Sequence, residues 1–282
     1  MMDPDAVHRA VRAALDEDIG AGDLTSRVVV DPAVRTLGQI VARESLVVAG
    51  MDVAREVFVQ VDESLEFRPR CDEGETLERG ECCATVEGTA RSILAAERTA
   101  LNFLQRMCGI ATATRRAVAL LGGAGVQISG TRKTAPGLRV LDKYAVEVGG
   151  GFPHRQGLFD AILIKNNHWR LAGGIARAIE TARREMSREG SVFPIEVEAG
   201  TIEEVEEAVR AKAEAILLDN MDRATLRAAV VLARGRAFLE VSGGIREVDL
   251  PELALVGVDR ISLGSLTHSV RAADLALELR PA

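Results

Sequence analysis

Several features that define common classes of protein are scarce in this 282-residue sequence. No apolar run approaches the roughly 18–20 residues that span a bilayer, so a membrane protein is not expected. Aromatic side chains make up only 3% of the chain, too few for the stacking platforms that hold single-stranded nucleic acids. The formal net charge is −7, so the basic surface that nucleic-acid binding requires is also missing. We therefore expect no membrane and no nucleic acid as partner.

The four cysteines lack the spacing of a metal cage. Cys71, Cys82, Cys83 and Cys108 form no CxxC pair, and Cys82 and Cys83 would point to opposite faces of a strand. We interpret them as reduced thiols, which favours a cytoplasmic location. The acidic first 20 residues lack the apolar core of a signal peptide, which supports the same expectation.

The chain changes character near residue 110. Before it, extended stretches lie between a short helical pattern and a long one over 91–107, which predicts an α+β open sandwich. After it, six short apolar runs alternate with helical patterns, which indicates a parallel sheet with right-handed crossovers. The runs are 126–129, 161–164, 193–197, 215–218, 237–241 and 259–263. Continuous apolar runs are typical of strands covered on both faces.

The predicted fold class is therefore α/β, with two domains. Residues 1–112 form the N-terminal α+β open sandwich, and residues 113–267 form an incomplete or distorted (β/α) barrel. The tail, 268–282, is expected to pack back on the first domain. An open doubly wound sheet is the rival for the second domain, but no GxGxxG dinucleotide motif follows a strand.

Charged residues and glycines follow almost every predicted strand. In strand order they are Thr131, Arg132 and Lys133; Lys165; Glu198; Asp219; Ser242, Gly243 and Gly244; and Gly264. About one strand–helix unit separates successive groups, so all of them should reach one rim of the barrel, where such enzymes carry their active sites.

The stretch 131–170 is basic, with seven Lys or Arg against three Asp or Glu, a net +4 in a chain of net −7. Arg139 and Lys143 have helical spacing and are expected to be solvated. The others lie at loops or strand ends beside His154: Arg132, Lys133, Arg155 and Lys165. Arginine forks match carboxylates and lysine serves phosphate as a point charge, so this cluster suits a polyanionic ligand.

The later strand ends suit phosphate and sugar. Glycine backbone after Ser242 and at Gly264 can approach phosphate oxygens without a Cβ in the way. Glu198 and Asp219, on adjacent strand ends, could hold Mg²⁺ through water or stabilise positive charge on an anomeric carbon. They could equally pair with Lys165 or Lys133 and neutralise a crowded rim.

These residues, together with motifs elsewhere, resemble the quinolinate phosphoribosyltransferase family over nearly the whole chain. The motifs are Gly22-Asp-Leu-Thr25, Glu97-Arg-Thr-Ala-Leu-Asn102, Gly109-Ile-Ala-Thr112, Thr131-Arg-Lys-Thr-Ala-Pro-Gly-Leu-Arg139, Gly149-Gly-Gly, His154-Arg155, Glu196-Val-Glu198, Leu217-Leu-Asp-Asn220 and Ser242-Gly-Gly-Ile245. Two positions depart from the family pattern: Asn166 stands where Asp is more usual, and Cys108 where Ser is more usual.

The resemblance implies that quinolinate and phosphoribosyl pyrophosphate give nicotinate mononucleotide, pyrophosphate and CO₂, with Mg²⁺, in de novo NAD biosynthesis. It implies a homodimer in which Arg98 reaches the partner's site. The residues implied for quinolinate are Arg98, Thr131, Arg132, His154, Arg155 and Lys165. Those implied for phosphoribosyl pyrophosphate are Lys133, Glu198, Asp219, Ser242, Gly243, Gly244, Gly264 and His268. Lys133, Glu198 and Asp219 are the expected catalytic residues, with Glu198 and Asp219 at the metal.

Two other functions fit parts of the pattern. A molybdate-transport-associated homologue shares the family's fold and much of its motif set. A Schiff-base aldolase barrel would use Lys165 as its nucleophile on a sugar phosphate.

Overall fold

A computed structural model describes residues 2–281 of the chain. The chain forms two compact units, neither of which is continuous in sequence. The first comprises the chain up to Arg115, the segment Lys133–Gly151 and the chain from Ser265 onward. The second comprises Arg116–Arg132 and Phe152–Gly264. The domain boundaries expected at residues 112 and 267 remain a prediction, and the basic stretch around Lys143 lies within the first unit.

The structure contains helices and strands in both units. The helices are α1 (Pro4–Ile19), α2 (Leu24–Val29), α3 (Met51–Val61), α4 (Ala90–Leu120), α5 (Arg139–Val148), α6 (Asn166–Ala172), α7 (Ile175–Glu189), α8 (Ile202–Arg210), α9 (Arg223–Ala233), α10 (Leu250–Leu253) and α11 (Ser265–His268). The strands are β1 (Arg35–Ala42), β2 (Leu46–Val47), β3 (Glu66–Pro69), β4 (Thr76–Leu77), β5 (Cys82–Thr89), β6 (Gln127–Ser129), β7 (Ile162–Ile164), β8 (Ile195–Ala199), β9 (Ala215–Asp219), β10 (Phe238–Ser242), β11 (Arg260–Ser262) and β12 (Leu275–Pro281). Among residues 2–281, no helix combines the length and apolarity needed to cross a bilayer.

The first unit is built on an antiparallel sheet with strand order β12-β1-β5-β3. The tail strand β12 pairs with β1 from Thr36 to Ala42, so the tail packs on the N-terminal sheet. The long helix α4 buries Ile93, Leu101 and Leu104 on the arc that the sequence pattern predicts. The unit is therefore the α+β sandwich expected from the sequence.

The second unit holds six parallel strands in the order β6-β11-β10-β9-β8-β7. The first strand of this unit lies beside the last, and β6 and β7 form the two edges. This is the strand order of a (β/α) barrel that is open between its first two strands. The prediction of an incomplete barrel is therefore confirmed, and a doubly wound sheet would require a different order.

Register places a polar row of residues on one face of this sheet. Glu196, Glu198, Asp219, Glu240, Ser242, Arg260 and Ser262 share that face, because in-register residues on neighbouring strands point the same way. The expectation of continuously apolar strands is therefore wrong for this face. The opposite face carries Val197, Ile216, Leu218 and Leu239, all buried.

Three local expectations also differ from the structure. The sequence over 18–26 is rich in turn-forming residues, but residues 24–29 form α2, because the Asp23 carboxylate caps its first turn by accepting from Ser26 N–H. The helical periodicity of 171–186 predicts a single helix, but Gly173 and Gly174, both at positive φ, separate α6 from α7. Lys143, expected at the surface, is only 1% exposed.

Candidate active site

The ends of the six parallel strands lie along one edge of the sheet in a fixed order. From β7 to β6 they present Lys165, Glu198, Asp219, Ser242, Gly264 and Thr131, each within two residues of its strand's end. Ser242 and Asp219 are direct partners in the register of β10 and β9. The second unit thus brings together eleven of the residues singled out from the sequence: these six with Arg132, His154, Arg155, Gly243 and Gly244.

Glu198 is a buried carboxylate held by its neighbours. Lys165 Nζ lies 2.8 Å from its Oε2, and the Asn166 N–H donates to Oε1 at 3.3 Å. The Trp169 indole N–H donates to the Glu198 carbonyl, which ties α6 to the end of β8. Glu198 therefore neutralises Lys165 in this structure, which is one of the roles that the sequence left open for this carboxylate. Because Asn166 serves Glu198 through its backbone, its departure from the family pattern leaves this contact intact.

Asp219 lies beside a strained turn. Asn220, at φ +53°, donates its side-chain N–H to Asp219 Oδ2 at 2.7 Å, and its backbone N–H to the Ser242 carbonyl. Gly243, the residue after Ser242, has φ +99°. A Cβ at Gly243 would come within 2.3 Å of Asn220 Oδ1 and 2.7 Å of the Asn220 backbone nitrogen. Gly243 is therefore required to be glycine both by its backbone conformation and by contact with the Asp219 turn.

If Gly243 holds phosphoribosyl pyrophosphate, as the family resemblance implies, Gly243→Ala is expected to weaken donor binding about tenfold or more, because the strained backbone costs ~1–3 kcal/mol and the turn at Asn220 must shift. Gly235→Ala is the matched control, since Gly235 also has positive φ (+75°) and meets no atom within 4 Å. Calorimetric titration of both variants measures the difference. Equal donor affinity in the two variants would contradict this assignment.

Two arginines form the cationic part of the site. Arg132 Nε is buried and has no hydrogen-bond partner within residues 2–281. Burial lowers the pKa of Arg155, and the nearby Arg132 charge lowers it further, while Glu196 and Asp160 act in the opposite sense. A buried guanidinium N–H without a partner is costly, so this pair favours an anion that accepts from it.

His154 lies between two buried carboxylates that the sequence reasoning did not identify as site residues. Its Nε2 is 3.4 Å from both Glu196 Oε2 and Glu240 Oε2. Burial alone would lower the pKa of His154, but these carboxylates outweigh it and raise the pKa to about 9. Because side chains alternate between the two faces of a strand, the sequence could have identified both carboxylates. Glu196 and Glu240 each lie two residues before a predicted site residue and therefore share its face of the strand.

His154 should therefore stabilise the fold only below its raised pKa. Because the folded pKa exceeds the unfolded value of about 6.5, the contribution is complete below pH 6.5 and disappears as pH rises through about 9. Between pH 7 and 10, wild type should lose on the order of 2–3 kcal/mol more stability than His154→Gln. Urea denaturation at both pH values measures the difference between the two proteins. Parallel losses would show that His154 is neutral in the folded state.

Three predicted site residues belong to the first unit: Arg98, Lys133 and His268. Arg98 is exposed on α4, next to the half-buried Glu97. Lys133 is exposed, and its carbonyl accepts from the Thr267 hydroxyl at 2.8 Å. His268, also exposed, contacts Ser269. Their substrate roles remain predictions.

The four cysteines are free thiols whose pKa values burial raises. Burial raises the pKa values of Cys71 and Cys108 to about 12, and raises that of Cys83 further. Cys108 Sγ lies 3.3 Å from the Ala49 N–H and 3.5 Å from its carbonyl. Cysteine at this position thus occupies a buried structural place in the first unit.

The fold and these residues define an α/β protein of the barrel class that gathers cationic and acidic side chains at its strand ends, where enzymes of this class carry their active sites. Residues 23–108 match the family described as "Quinolinate phosphoribosyl transferase, N-terminal domain", and residues 110–278 match its C-terminal domain. The chain belongs to the quinolinate phosphoribosyl transferase family.

Relatives of known description support this assignment. A "Probable nicotinate-nucleotide pyrophosphorylase [carboxylating]" of Bacillus subtilis is 41% identical over 263 residues, which are 93% of this chain and 90% of that protein. A solved nicotinate-nucleotide pyrophosphorylase from Francisella tularensis is 40% identical with a TM-score of 0.94, covering 99% of this chain and 98% of that one. The enzyme of the same description from Ehrlichia chaffeensis is 36% identical with a TM-score of 0.91, covering 96% and 98%. These descriptions agree with the first of the three functions considered from the sequence.

Proposed function

We propose that this chain transfers the phosphoribosyl group of phosphoribosyl pyrophosphate to quinolinate, with decarboxylation, and releases nicotinate mononucleotide, pyrophosphate and CO₂. The observation that carries the proposal is the buried, unpartnered Arg132 Nε beside Arg155, at the rim that also presents Lys165, Glu198 and Asp219. Quinolinate has two carboxylates, and each arginine fork can take one of them bidentately. The reaction belongs to de novo NAD biosynthesis, and a cytoplasmic location is part of the proposal.

The chain's own residues position the reactants and provide no nucleophile. The pyridine nitrogen of quinolinate attacks the anomeric carbon of the ribose, so an enzymatic nucleophile is unnecessary. Arg132, Arg155, Thr131, His154 and Lys165 hold the acid substrate in this proposal. Lys133, Ser242, Gly243, Gly244, Gly264 and His268 hold the phosphates. The rate enhancement comes from orientation of the reactants and from electrostatic stabilisation of an oxocarbenium-like transition state.

Decarboxylation follows from the charge that the first step creates. Once ribosylated, the pyridine nitrogen is cationic and can stabilise the carbanion that remains when the adjacent carboxylate leaves as CO₂. The electron pair of the broken C–C bond stays on the ring carbon, which then takes a proton.

Magnesium is part of the proposal. Glu198 and Asp219 are hard oxygen donors on adjacent strands, and carboxylates with water are the ligands that Mg²⁺ prefers. The ion would offset the charge that develops on departing pyrophosphate. Glu198 and Asp219 also face the ribose hydroxyls in this arrangement.

The test is an incubation of purified protein with quinolinate, phosphoribosyl pyrophosphate and Mg²⁺, followed by chromatography of nicotinate mononucleotide. A parallel reaction contains nicotinate in place of quinolinate. Product from quinolinate alone is expected. Absence of product from both would contradict the proposal, and a borohydride-trapped adduct of Lys165 with a sugar phosphate would favour the aldolase.

The proposal includes a homodimer in which Arg98 serves the partner subunit's site. Arg98→Ala and Arg155→Ala should each be inactive, but a mixture of the two should recover activity. If Arg98 acts in trans, half of the reassorted dimers carry one intact site, so activity returns to roughly a quarter of wild type. Activity of the mixture after reassortment measures this, and no recovery would place Arg98 in its own subunit's site.

A further inference from the structure

A buried cluster of charged side chains lies on the polar face of the parallel sheet, below the strand ends. This interior cluster consists of His154, Glu196, Glu240, Arg260 and Ser262. Glu240 is 2% exposed and accepts from Arg260 Nη1 at 3.1 Å and from the Ser262 hydroxyl. Arg260 is in turn fixed by cation–π contacts with Phe152 and Phe238, at 4.1 and 4.7 Å from the ring centroids.

The hydrogen bonds of His154 place its ring proton. The Arg155 N–H donates to Nδ1 at 2.7 Å, which puts a hydrogen on Nε2, facing Glu196 and Glu240. A second proton on Nδ1 would cost that neutral hydrogen bond, about 1 kcal/mol. Two buried carboxylates outweigh this loss. Nε2 therefore carries a hydrogen in both protonation states.

A divalent metal between these three residues is disfavoured, although their ligand atoms lie within 4.8 Å of one another. A metal would need the lone pair of Nε2, which the proton occupies. Arg260 already supplies a positive charge to Glu240. The cluster is balanced by its own cations.

The cluster also fixes the backbone that leads to Arg155. His154 has φ +54°, a left-handed conformation that is uncommon for a residue with a side chain. Its ring is anchored at Nε2 by the carboxylates in both protonation states, and Arg155 is the next residue of the chain. The imidazole thus links Glu240 to the start of Arg155.

Glu196 gives the arrangement an electrostatic role. Its Oε1 is buried and finds no hydrogen-bond partner among residues 2–281, and its charge already acts on Arg155. Without His154, Arg155 is a cation that can neutralise Glu196, and its fork would then turn away from the substrate. His154 therefore keeps Arg155 available.

We propose that Glu240, with Arg260 and Ser262, is a positioning residue that acts through His154 to hold the Arg155 guanidinium ready for the acid substrate. His154 then links the cluster to Arg155. This inference rests on the proposed function, because it assigns Arg155 to quinolinate.

The test compares Glu240→Gln with wild type by calorimetric titration of quinolinate and, separately, of phosphoribosyl pyrophosphate. Glu240→Gln should weaken quinolinate binding roughly 10–100-fold, the effect of a small misplacement of a binding group, and leave donor affinity within about twofold. Glu214→Gln is the control, because Glu214 also pairs with an arginine, Arg183, and should bind quinolinate like wild type. Failure of wild type itself to bind quinolinate would overturn the proposed function, whereas equal binding by wild type and Glu240→Gln overturns this inference alone.

A double-mutant cycle with His154→Gln separates positioning from general damage. If Glu240 acts through His154, the double variant should bind quinolinate as His154→Gln does, within about twofold. If the two substitutions weaken quinolinate binding by factors that multiply in the double variant, the inference is overturned. Equal losses of affinity for quinolinate and for phosphoribosyl pyrophosphate would also overturn it. Mn²⁺ titrated without donor should bind wild type and Glu240→Gln alike, and a stoichiometric Mn²⁺ site lost only in Glu240→Gln would instead identify the cluster as a metal site.

Discussion

Arg155→Ala is expected to lose quinolinate binding while it retains phosphoribosyl pyrophosphate binding. Two charge-assisted hydrogen bonds from one guanidinium fork are worth several kcal/mol in a partly desolvated site, so the loss should be roughly a hundredfold or more. Arg155→Lys keeps the charge but not the fork, and should fall between wild type and alanine. Calorimetric titration with each substrate measures these affinities.

The stability of the same variant distinguishes lost binding from lost folding. Burial lowers the pKa of Arg155, and repulsion from the nearby Arg132 charge lowers it further. Removing one charge should therefore leave the melting temperature equal to or above that of wild type, the usual trade between stability and function. Arg210→Ala, which removes an exposed arginine that pairs with Glu206, is the control for both measurements. Unchanged quinolinate affinity in Arg155→Ala would remove this residue from the substrate site.

The second large effect is expected from Asp142, in the first unit. Its carboxylate is 0% exposed and accepts from Arg106 Nε at 2.8 Å and Nη2 at 2.7 Å. It also accepts from the Ala135 N–H, and Arg106 donates to the Thr267 carbonyl. Asp142→Ala leaves a mostly buried guanidinium without its partner, which should cost roughly 3–5 kcal/mol of stability.

Urea denaturation followed by circular dichroism measures this cost. Glu206→Ala, which breaks the exposed pair with Arg210, should change stability by less than about 0.5 kcal/mol. Replacing both partners by apolar residues, Arg106→Met with Asp142→Leu, should destabilise less than Asp142→Ala alone, because no unpaired charge remains. A loss below about 1 kcal/mol in Asp142→Ala would contradict a buried, fully used ion pair.

The positions along the rim could be predicted from the sequence because they follow from local pattern and chain direction. Parallel strands end at one edge, so Lys165, Glu198, Asp219 and Ser242 had to meet there once the strand–helix alternation was recognised. The strand order of an incomplete barrel follows from the same alternation.

The contacts below the rim could not be predicted, since they depend on residues far apart in sequence. His154 meets Glu240 across 86 positions only after β10 is placed in register with β9. Likewise, the burial of Lys143 on α5 could not be predicted from the helical spacing of this residue. The division of α6 from α7 is different, because two consecutive glycines at 173 and 174 carried that signal in the sequence.

The pairing of β12 with β1 has a consequence for synthesis. Thr36 and Arg280, hydrogen-bonded across these strands, are 244 positions apart. At about 5–20 residues per second, β1 leaves the ribosome roughly 12–50 s before the strand that covers its outer edge. During that interval β1 is an unpaired edge, open to pairing with strands of other nascent chains. The first unit is thus the first to be synthesised and the last to be completed. Pairing of β12 with β1 then covers the exposed edge.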